Sequence, residues 1–190
     1  IPILSADGGD LEITTITSDD IQGGKLAAEY LIGLGHKKIY HIAGPFYTKS
    51  GQDRQTGFNA TMTESGIKDY KLYEAANYGF QDGYDQAVIM MKDQDLPTAI
   101  FVSGDWMALG AIKAFRENGI NVPEDISIIG YDDMAFLQYS SPALTTIAQN
   151  KKEIGITSAK HLIAKIDGEV VESVKIKVNV VERETCQRLK

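Results

Sequence analysis

Short apolar runs alternate along the chain with stretches whose apolar residues recur every three or four positions. Runs of the first kind are typical of buried strands, and stretches of the second kind are typical of amphipathic helices. Glycines at positions 35, 66 and 119 follow three of the amphipathic stretches and favour helix ends there. The pattern predicts strands at 1–5, 12–17, 38–43, 72–76, 98–103, 126–131 and 174–181, and helices at 18–34, 52–65, 83–92, 106–118 and 151–165.

The predicted strands are almost continuously apolar, for example Ile128-Ile129 in the centre of 126–131. Strands of that kind are buried on both faces, as in parallel sheets that are covered by helices on each side. Alternating strands and helices form right-handed crossover units. The sequence therefore predicts an α/β fold with a doubly wound parallel sheet, as one domain or as two small lobes.

Composition and charge narrow the choice of function. The 190 residues include 19 basic and 26 acidic side chains, a net charge of −7 that argues against direct binding to a phosphate backbone. No apolar run approaches the ~20 residues of a membrane span, and no basic segment precedes the apolar start as in a signal peptide. The single Cys186 fits a reducing compartment, so we expect a cytoplasmic protein without membrane contact.

The motifs of common enzymes and cofactor sites are absent from the sequence. The three histidines lack metal-like spacing, so no metal site is expected. Gly33-Leu34-Gly35 begins like a dinucleotide fingerprint, but it lacks the last glycine and closes a helix instead of opening one. Asp132 and Asp133 are adjacent in an extended segment and point to opposite sides, so at most one faces a pocket. We expect no catalytic activity and no cofactor.

Polar and aromatic side chains follow the predicted strands, where open α/β sheets bind their ligands. A set of carboxylates, one guanidinium, one amide and aromatic rings suits a neutral polyol, since charged groups bind hydroxyls and a ring covers the C–H face. Arg54, placed in a first helical turn, requires an anionic or hydrogen-bonding partner. The candidates are Asp7, Arg54, Tyr78, Phe80, Asp105, Asp132 and Gln149.

Several candidates have a simpler structural explanation. Asp105 is favoured as the cap of the helix that opens at Trp106, rather than as a ligand contact. Asp7 fits equally well in the turn before Gly8-Gly9, and either Tyr78 or Phe80 alone is more often a packing residue. Residue chemistry alone thus indicates a binder of small molecules.

Ordered motifs over nearly the whole chain resemble the lactose/galactose repressor family of bacterial transcription regulators, with some similarity to ribose-type repressors. The matching segments are Asp20-Ile-Gln-Gly-Gly-Lys-Leu-Ala-Ala-Glu-Tyr-Leu, Gly35-His36, Ile42-Ala-Gly-Pro45, Arg54-Gln-Thr-Gly-Phe58, Pro97-Thr-Ala-Ile-Phe101, Asp105-Trp-Met-Ala-Leu-Gly-Ala111, Val122-Pro-Glu-Asp-Ile-Ser127, Ile129-Gly-Tyr-Asp-Asp133, and Leu144-Thr-Thr-Ile147 with Gln149.

The resemblance implies the sugar-binding core of a homodimeric repressor with a periplasmic-binding-protein-like fold. Residues 18–147 and 175–190 would form a complete C-terminal lobe, and 1–17 and 148–174 parts of an N-terminal lobe. The helix-turn-helix domain that binds operator DNA would lie outside this chain. Helices after Asp105 and around Gly83 would form the dimer face, with Trp106 and Met107 as interface anchors or core residues.

The resemblance also assigns the site. It implies that Arg54 and Asp132 bind the sugar, that Asp7 and Gln149 contact it from the lobe junction, and that Tyr78, or Phe80 after a shift, stacks on the ring. Many relatives have asparagine where this chain has Gly104, which leaves open which hydroxyls are recognised. Two alternatives remain at this point: a periplasmic-type sugar-binding protein, and a doubly wound enzyme that uses Asp132 as a base.

Overall fold

The computed structural model of the protein describes residues 3–5, 13–93 and 95–189. Five helices and eight strands alternate along this part of the chain, and a short 3-10 turn at Ala135–Tyr139 follows the fifth strand. The elements are β1 (Ile16–Ser18), α1 (Asp20–Gly33), β2 (Ile39–Ala43), α2 (Lys49–Glu64), β3 (Leu72–Glu74), α3 (Phe80–Met91), β4 (Ala99–Val102), α4 (Asp105–Glu117), β5 (Ser127–Asp132), β6 (Thr145–Gln149), α5 (Lys151–Ile166), β7 (Val174–Ile176) and β8 (Val178–Val181).

The larger sheet has six strands in the order β3-β2-β4-β5-β6-β8, and all neighbours are parallel except the pair β6 and β8. The predicted doubly wound α/β fold is confirmed. The prediction of one strand over 174–181 is wrong, because the chain changes sheets at Lys177. Residues before it, in β7, pair with β1 in a separate parallel sheet of two strands, and residues after it form the antiparallel edge of the larger sheet.

Helices cover both faces of the larger sheet, which explains the continuous apolar character of its strands. Every residue of β2 and β4 is buried. Helices α1 and α2 pack together on one face, and α3 and α4 pack together on the other. The α1–α2 contact is very close at Gly24, where an added Cβ would lie 2.0 Å from the main-chain oxygen of Arg54. This close packing fixes the turn of α2 that carries Arg54.

The order of the strands places a crevice between the carboxyl ends of β2 and β4. The chain leaves β2 through α2 and reaches β3 on one side, whereas it leaves β4 through α4 and reaches β5 on the other side. Such a change of direction between neighbouring strands is where open α/β sheets bind ligands. Gly44 follows β2 and Ser103 follows β4 at this point.

Helix α5 contacts β1 and buries none of its residues. Its apolar side chains Ile163 and Ile166 are 60% and 64% exposed. On α4, Trp106 is 46% exposed, whereas Met107 is fully buried and belongs to the core. Within the described ranges, no helix combines the length and the apolar character that a membrane crossing requires.

Candidate functional site

Arg54 lies at the carboxyl edge of the sheet and is only 5% exposed. Its Nε donates to Asp20 Oδ1 at 2.8 Å, its Nη1 donates to the Ser103 carbonyl oxygen at 2.6 Å, and its Cζ is 3.7 Å from the centre of the Tyr131 ring. Its Nη2 lies 3.9 Å from Asp132 Oδ1. Two guanidinium nitrogens, Nε and Nη1, are therefore hydrogen-bonded within the protein, and the third, Nη2, faces Asp132.

The environment keeps the Arg54 side chain charged. Burial by itself lowers the pKa of the guanidinium, but the negative charge of Asp20, together with Tyr131 and Asp132, raises it above its usual value. The anionic partner expected from the sequence is thus Asp20. The position from which this partner was predicted is wrong. Helix α2 begins at Lys49 after the Thr48 cap, so Arg54 lies in the second turn and not in the first.

Asp132 ends β5 in a strained backbone conformation. Its φ is +119°, and that of Asp133 is +52°, values that non-glycine residues rarely adopt and that cluster at binding sites. Arg183 stabilises this turn, since its Nη2 donates to Asp133 Oδ1 at 2.6 Å. Lys151 Nζ donates to the Asp132 carbonyl oxygen at 2.6 Å. The two adjacent carboxylates have different partners, Gln149 for Asp132 and Arg183 for Asp133, although the segment is not extended as the prediction assumed.

A hydrogen-bonded relay connects Asp132 to β1. Gln149 Nε2 donates to Asp132 Oδ1 at 2.5 Å, and Gln149 Oε1 accepts from Ser18 Oγ at 3.0 Å. Ser18 ends β1, and Gln149 ends β6. Burial raises the pKa of Asp132, while the charges of Arg54 and Lys151 oppose that shift. The carboxylate is thus partly withdrawn from water and shared between an amide and a guanidinium.

The aromatic ring of Tyr78 lies near Arg54. Its hydroxyl lies 3.1 Å from Thr48 Oγ1, and its ring centre is 5.7 Å from Arg54 Cζ. The ring packs on backbone, because a Cβ added to Gly44 would lie 2.3 Å from Tyr78 Cε1 and one added to Gly104 would lie 3.3 Å from Cδ1. The space that an asparagine would take at position 104 therefore adjoins the Tyr78 ring.

The other predicted site residues have different positions. Phe80 is the first residue of α3, and its main chain packs closely against Gly110 of α4. A Cβ added to Gly110 would lie 2.0 Å from the Phe80 main-chain oxygen. Asp7 lies outside the described residues. The prediction that Asp105 caps α4 is wrong, because Gly104 occupies the cap position.

The Asp105 carboxylate instead joins two neighbouring segments of the sheet edge. Its Oδ1 accepts from Thr146 Oγ1 at 2.7 Å, and its Oδ2 accepts from the Met134 amide at 3.0 Å. Burial raises its pKa to about 7, even though both hydrogen bonds favour the charged form. Asp105 therefore stabilises the turn that carries Asp132 and does not face the crevice.

A hollow of about 120 Å³ opens beside Arg54, lined by Thr17, Ser18, Asp20, Ser50, Arg54, Gln149 and Ile154. A larger hollow of about 540 Å³ lies at the opposite edge of the sheet, between the C-terminal ends of α1 and α2. Its charged lining residues, Lys37, Lys68 and Asp69, are all exposed. The smaller hollow has the convergent buried polar groups that a specific site requires.

The charges around the smaller hollow balance. Among the residues that line it, Asp20 contributes one negative charge and Arg54 contributes one positive charge. A balanced set of this kind favours an uncharged polar ligand, because a net charge on the ligand would remain uncompensated. Across the described ranges, no group of three or more His, Cys, Asp or Glu side chains is arranged to hold a metal ion.

Comparison with known proteins identifies the family of the chain. The family model described as a periplasmic binding protein-like domain matches residues 28–186. The HTH-type transcriptional repressor PurR of Pasteurella multocida is 38% identical over 200 residues, which cover 100% of this chain and 58% of that protein. PurR of Erwinia tasmaniensis is 36% identical, over 96% of this chain and 55% of its own length. The chain thus spans little more than half the length of these curated relatives.

Solved structures show the same fold. A lac repressor dimer bound to operator and the anti-inducer ONPF superposes with a TM-score of 0.92 and 33% identity, over 98% of this chain and 66% of that one. A LacI family transcriptional regulator from Enterococcus faecium with bound ribose gives 0.88 and 30%, over 98% and 70%. The chain belongs to the periplasmic binding protein-like domain family, within the lactose/galactose repressor group of transcription regulators.

Proposed function

We propose that this chain is the effector-binding and dimerisation core of a bacterial transcription repressor, and that its effector is a small uncharged sugar. The observation that carries the proposal is the placement of Arg54 Nη2 opposite Asp132 at 3.9 Å, beside the Tyr78 ring. A hydroxyl both donates and accepts, so a single sugar hydroxyl satisfies the guanidinium and the carboxylate together.

Balanced charge supports a sugar over a sugar phosphate. Arg54 is already paired with Asp20, so little positive charge remains for a phosphate group. The Tyr78 ring supplies an apolar surface for the C–H face of a sugar. The regulator from Enterococcus faecium, 30% identical, was solved with ribose, and we therefore take D-ribose as the first ligand to test.

The role in transcription rests on the relatives. PurR proteins of several bacteria are repressors by name, and the lac repressor was solved as a dimer on its operator. These names favour a repressor over a periplasmic-type sugar-binding protein or an enzyme. By analogy, the protein acts in the cytoplasm without catalysis and contacts operator DNA through a domain outside this chain. Two copies of the core form a homodimer through α3 and α4.

Two lobes provide a mechanism. In this proposal, residues 18–147 and the chain from β8 onward form one lobe, and residues 1–17 and 148–174 belong to the second. The change of sheets at Lys177 moves the expected boundary, because β7 pairs with β1. The Ser18–Gln149–Asp132 relay lies at their junction. A sugar that contacts both lobes binds a closed arrangement better than an open one, and this difference in affinity shifts the population. Closure changes the spacing between the two DNA-binding domains of the dimer.

Isothermal titration calorimetry on the full-length protein tests the proposal, with a panel of pentoses, hexoses and their phosphates. We expect heat from at least one neutral sugar, D-ribose first, and weaker binding of its phosphate. Arg54→Met lowers that affinity by about 30-fold, the loss expected for one charge-assisted hydrogen bond. Arg188→Met is the matched control, since Arg188 is exposed at the opposite edge of the sheet and lies outside α3 and α4. If no sugar of the panel binds the parent protein, the proposed effector class is wrong.

A further inference from the structure

His41 is a polar residue in the middle of an otherwise apolar strand. It lies in β2 and is fully buried, with its ring centre 4.5 Å from that of Phe101 and 4.9 Å from that of Phe58. Its Nε2 is 2.7 Å from Ser103 Oγ. Its Nδ1 has no hydrogen-bond partner among the residues that the structure describes. The imidazole therefore makes one hydrogen bond, and that bond is to Ser103.

The imidazole is neutral and has a defined proton position. Burial, reinforced by the positive charge of Arg54, lowers the pKa of His41 to about 3, so the ring carries one proton at physiological pH. A proton on Nε2 meets an acceptor in Ser103 Oγ, whereas a proton on Nδ1 would be left unpaired among aromatic rings. The favoured tautomer donates from Nε2 to the Ser103 hydroxyl.

The buried, unpaired Nδ1 of His41 lowers the stability of the fold, whereas an aliphatic side chain at this position would not. A buried polar atom without a partner is destabilising, and central strands of a covered parallel sheet are ordinarily Val, Ile or Leu. Exceptions of this kind are expected where a residue serves the function of the protein. The question is then what His41 holds in place.

Ser103 connects His41 to the effector site. It follows β4 at the crevice, its amide donates to the Ile42 carbonyl oxygen at 2.9 Å, and its own carbonyl oxygen accepts from Arg54 Nη1 at 2.6 Å. The hydrogen bond from His41 holds the side chain of the same residue. Ser103 is thus fixed at its amide and its hydroxyl, and it presents its carbonyl to the guanidinium.

We propose that His41 is a positioning residue that, through Ser103, fixes the orientation of Arg54 and thereby sets the affinity for the sugar. The second half of this inference rests on the proposed function, and the first half does not. His41 itself does not contact the sugar. It is buried beneath Ser103, which is itself fully buried.

The test compares His41→Leu, Ser103→Ala and the double variant with the parent, all as full-length protein labelled with ¹⁵N-arginine. The NMR readout is the exchange with water of the Arg54 Nη1 protons, which face the Ser103 carbonyl oxygen, and we expect it to become about tenfold faster in each single variant, the scale of one net hydrogen bond. The double variant should match the single variants, because both changes break the same link. The urea midpoint of the double variant should stay equal or rise, since apolar side chains replace both partners of the buried hydrogen bond together with the unsatisfied Nδ1.

Tyr40→Phe is the matched control. Tyr40 precedes His41 in β2, packs with the core of the opposite face, and donates its hydroxyl to Asp95, so its loss should leave Arg54 exchange unchanged. Unchanged exchange in His41→Leu and Ser103→Ala would overturn the proposal, as would full additivity in the double variant.

The affinity for D-ribose, measured on the same variants, should fall about tenfold in His41→Leu and Ser103→Ala. Unchanged D-ribose affinity alongside faster Arg54 exchange would overturn the claim that His41 sets affinity. If neither D-ribose nor any other sugar of the panel binds the parent, the proposed function fails, while the NMR comparison still decides whether His41 positions Arg54.

Discussion

The ion pair between Arg54 and Asp20 permits a quantitative test of the site, because both side chains are nearly buried. Their side-chain exposures are 7% and 12%, and their Nε–Oδ1 distance is 2.8 Å. Asp20→Asn keeps the size of the side chain and one acceptor oxygen but removes the charge. Arg54 then keeps the Ser103 carbonyl oxygen and the partly exposed Asp132 carboxylate at 3.9 Å.

The magnitude follows from the geometry. Two unit charges about 4 Å apart attract by roughly 4 kcal/mol at an effective dielectric constant of about 20. The remaining acceptors recover part of that energy, so Asp20→Asn should lower the free energy of unfolding by about 3 kcal/mol, at the low end for a broken buried pair. For a chain of this size, the melting temperature should fall by about 9 °C.

A double-mutant cycle separates the pair from its surroundings. Arg54→Met alone should cost about 2 kcal/mol, less than Asp20→Asn, because the remaining carboxylate lies in the first turn of α1, where the helix dipole stabilises it. The double variant should also cost about 2 kcal/mol, far below the sum of about 5 kcal/mol. Urea denaturation of the four proteins supplies the values. A double variant that loses the full sum would refute the coupling and with it this account of how Arg54 is held.

Three further predictions concern packing, pH and assembly. Gly24→Ala should lower the free energy of unfolding, measured in urea, by about 3 kcal/mol, because the added methyl group would overlap the neighbouring backbone. Gly33→Ala in the same helix has free space and should be neutral or stabilising by up to about 1 kcal/mol in the same assay. The pKa of Asp105 is raised to about 7 in the folded state, so its contribution to stability is present below about pH 4 and is lost as pH rises through 7. Asp105→Asn should therefore become progressively more stable relative to the parent between pH 5 and pH 8 in urea titrations, and a constant difference would contradict the pKa. Trp106→Glu should raise the dissociation constant of the proposed homodimer at least about tenfold in sedimentation equilibrium, since exposed aromatic residues anchor interfaces. An unchanged constant would place the dimer face elsewhere.

The alternation of strands and helices was predictable because the signal is local. Continuous apolar runs such as 98–103 identify covered strands, and glycines such as Gly35 identify helix ends, without any knowledge of tertiary contacts. The break at Lys177 was not predictable from the apolar pattern, because β7 and β8 are both extended and differ only in which sheet they join.

The site was predictable in part for the same reason. Four of the candidates end or follow strands at one edge of the sheet, and the structure brings them together: Arg54, Tyr78, Asp132 and Gln149. Asp20, which holds Arg54, is separated from it by 34 positions, so no local pattern identifies it as the partner of Arg54.

The prediction that Asp105 caps α4 failed for a related reason. Its position before an apolar helix is typical of a cap, whereas its partners Met134 and Thr146 lie 29 and 41 residues away. Sequence spacing identifies groups that share an edge of the sheet. It does not identify which of them pair, because pairing depends on side-chain directions that only the packed structure fixes.

The most direct measurement is a crystal structure of the full-length protein with the neutral sugar that gives the strongest heat. We expect an intact sugar with one hydroxyl within hydrogen-bond distance of both Arg54 Nη2 and the Asp132 carboxylate, and with its C–H face against the Tyr78 ring. A sugar bound elsewhere, for example in the hollow beside Ile32 and Ile67 at the opposite edge of the sheet, would contradict it.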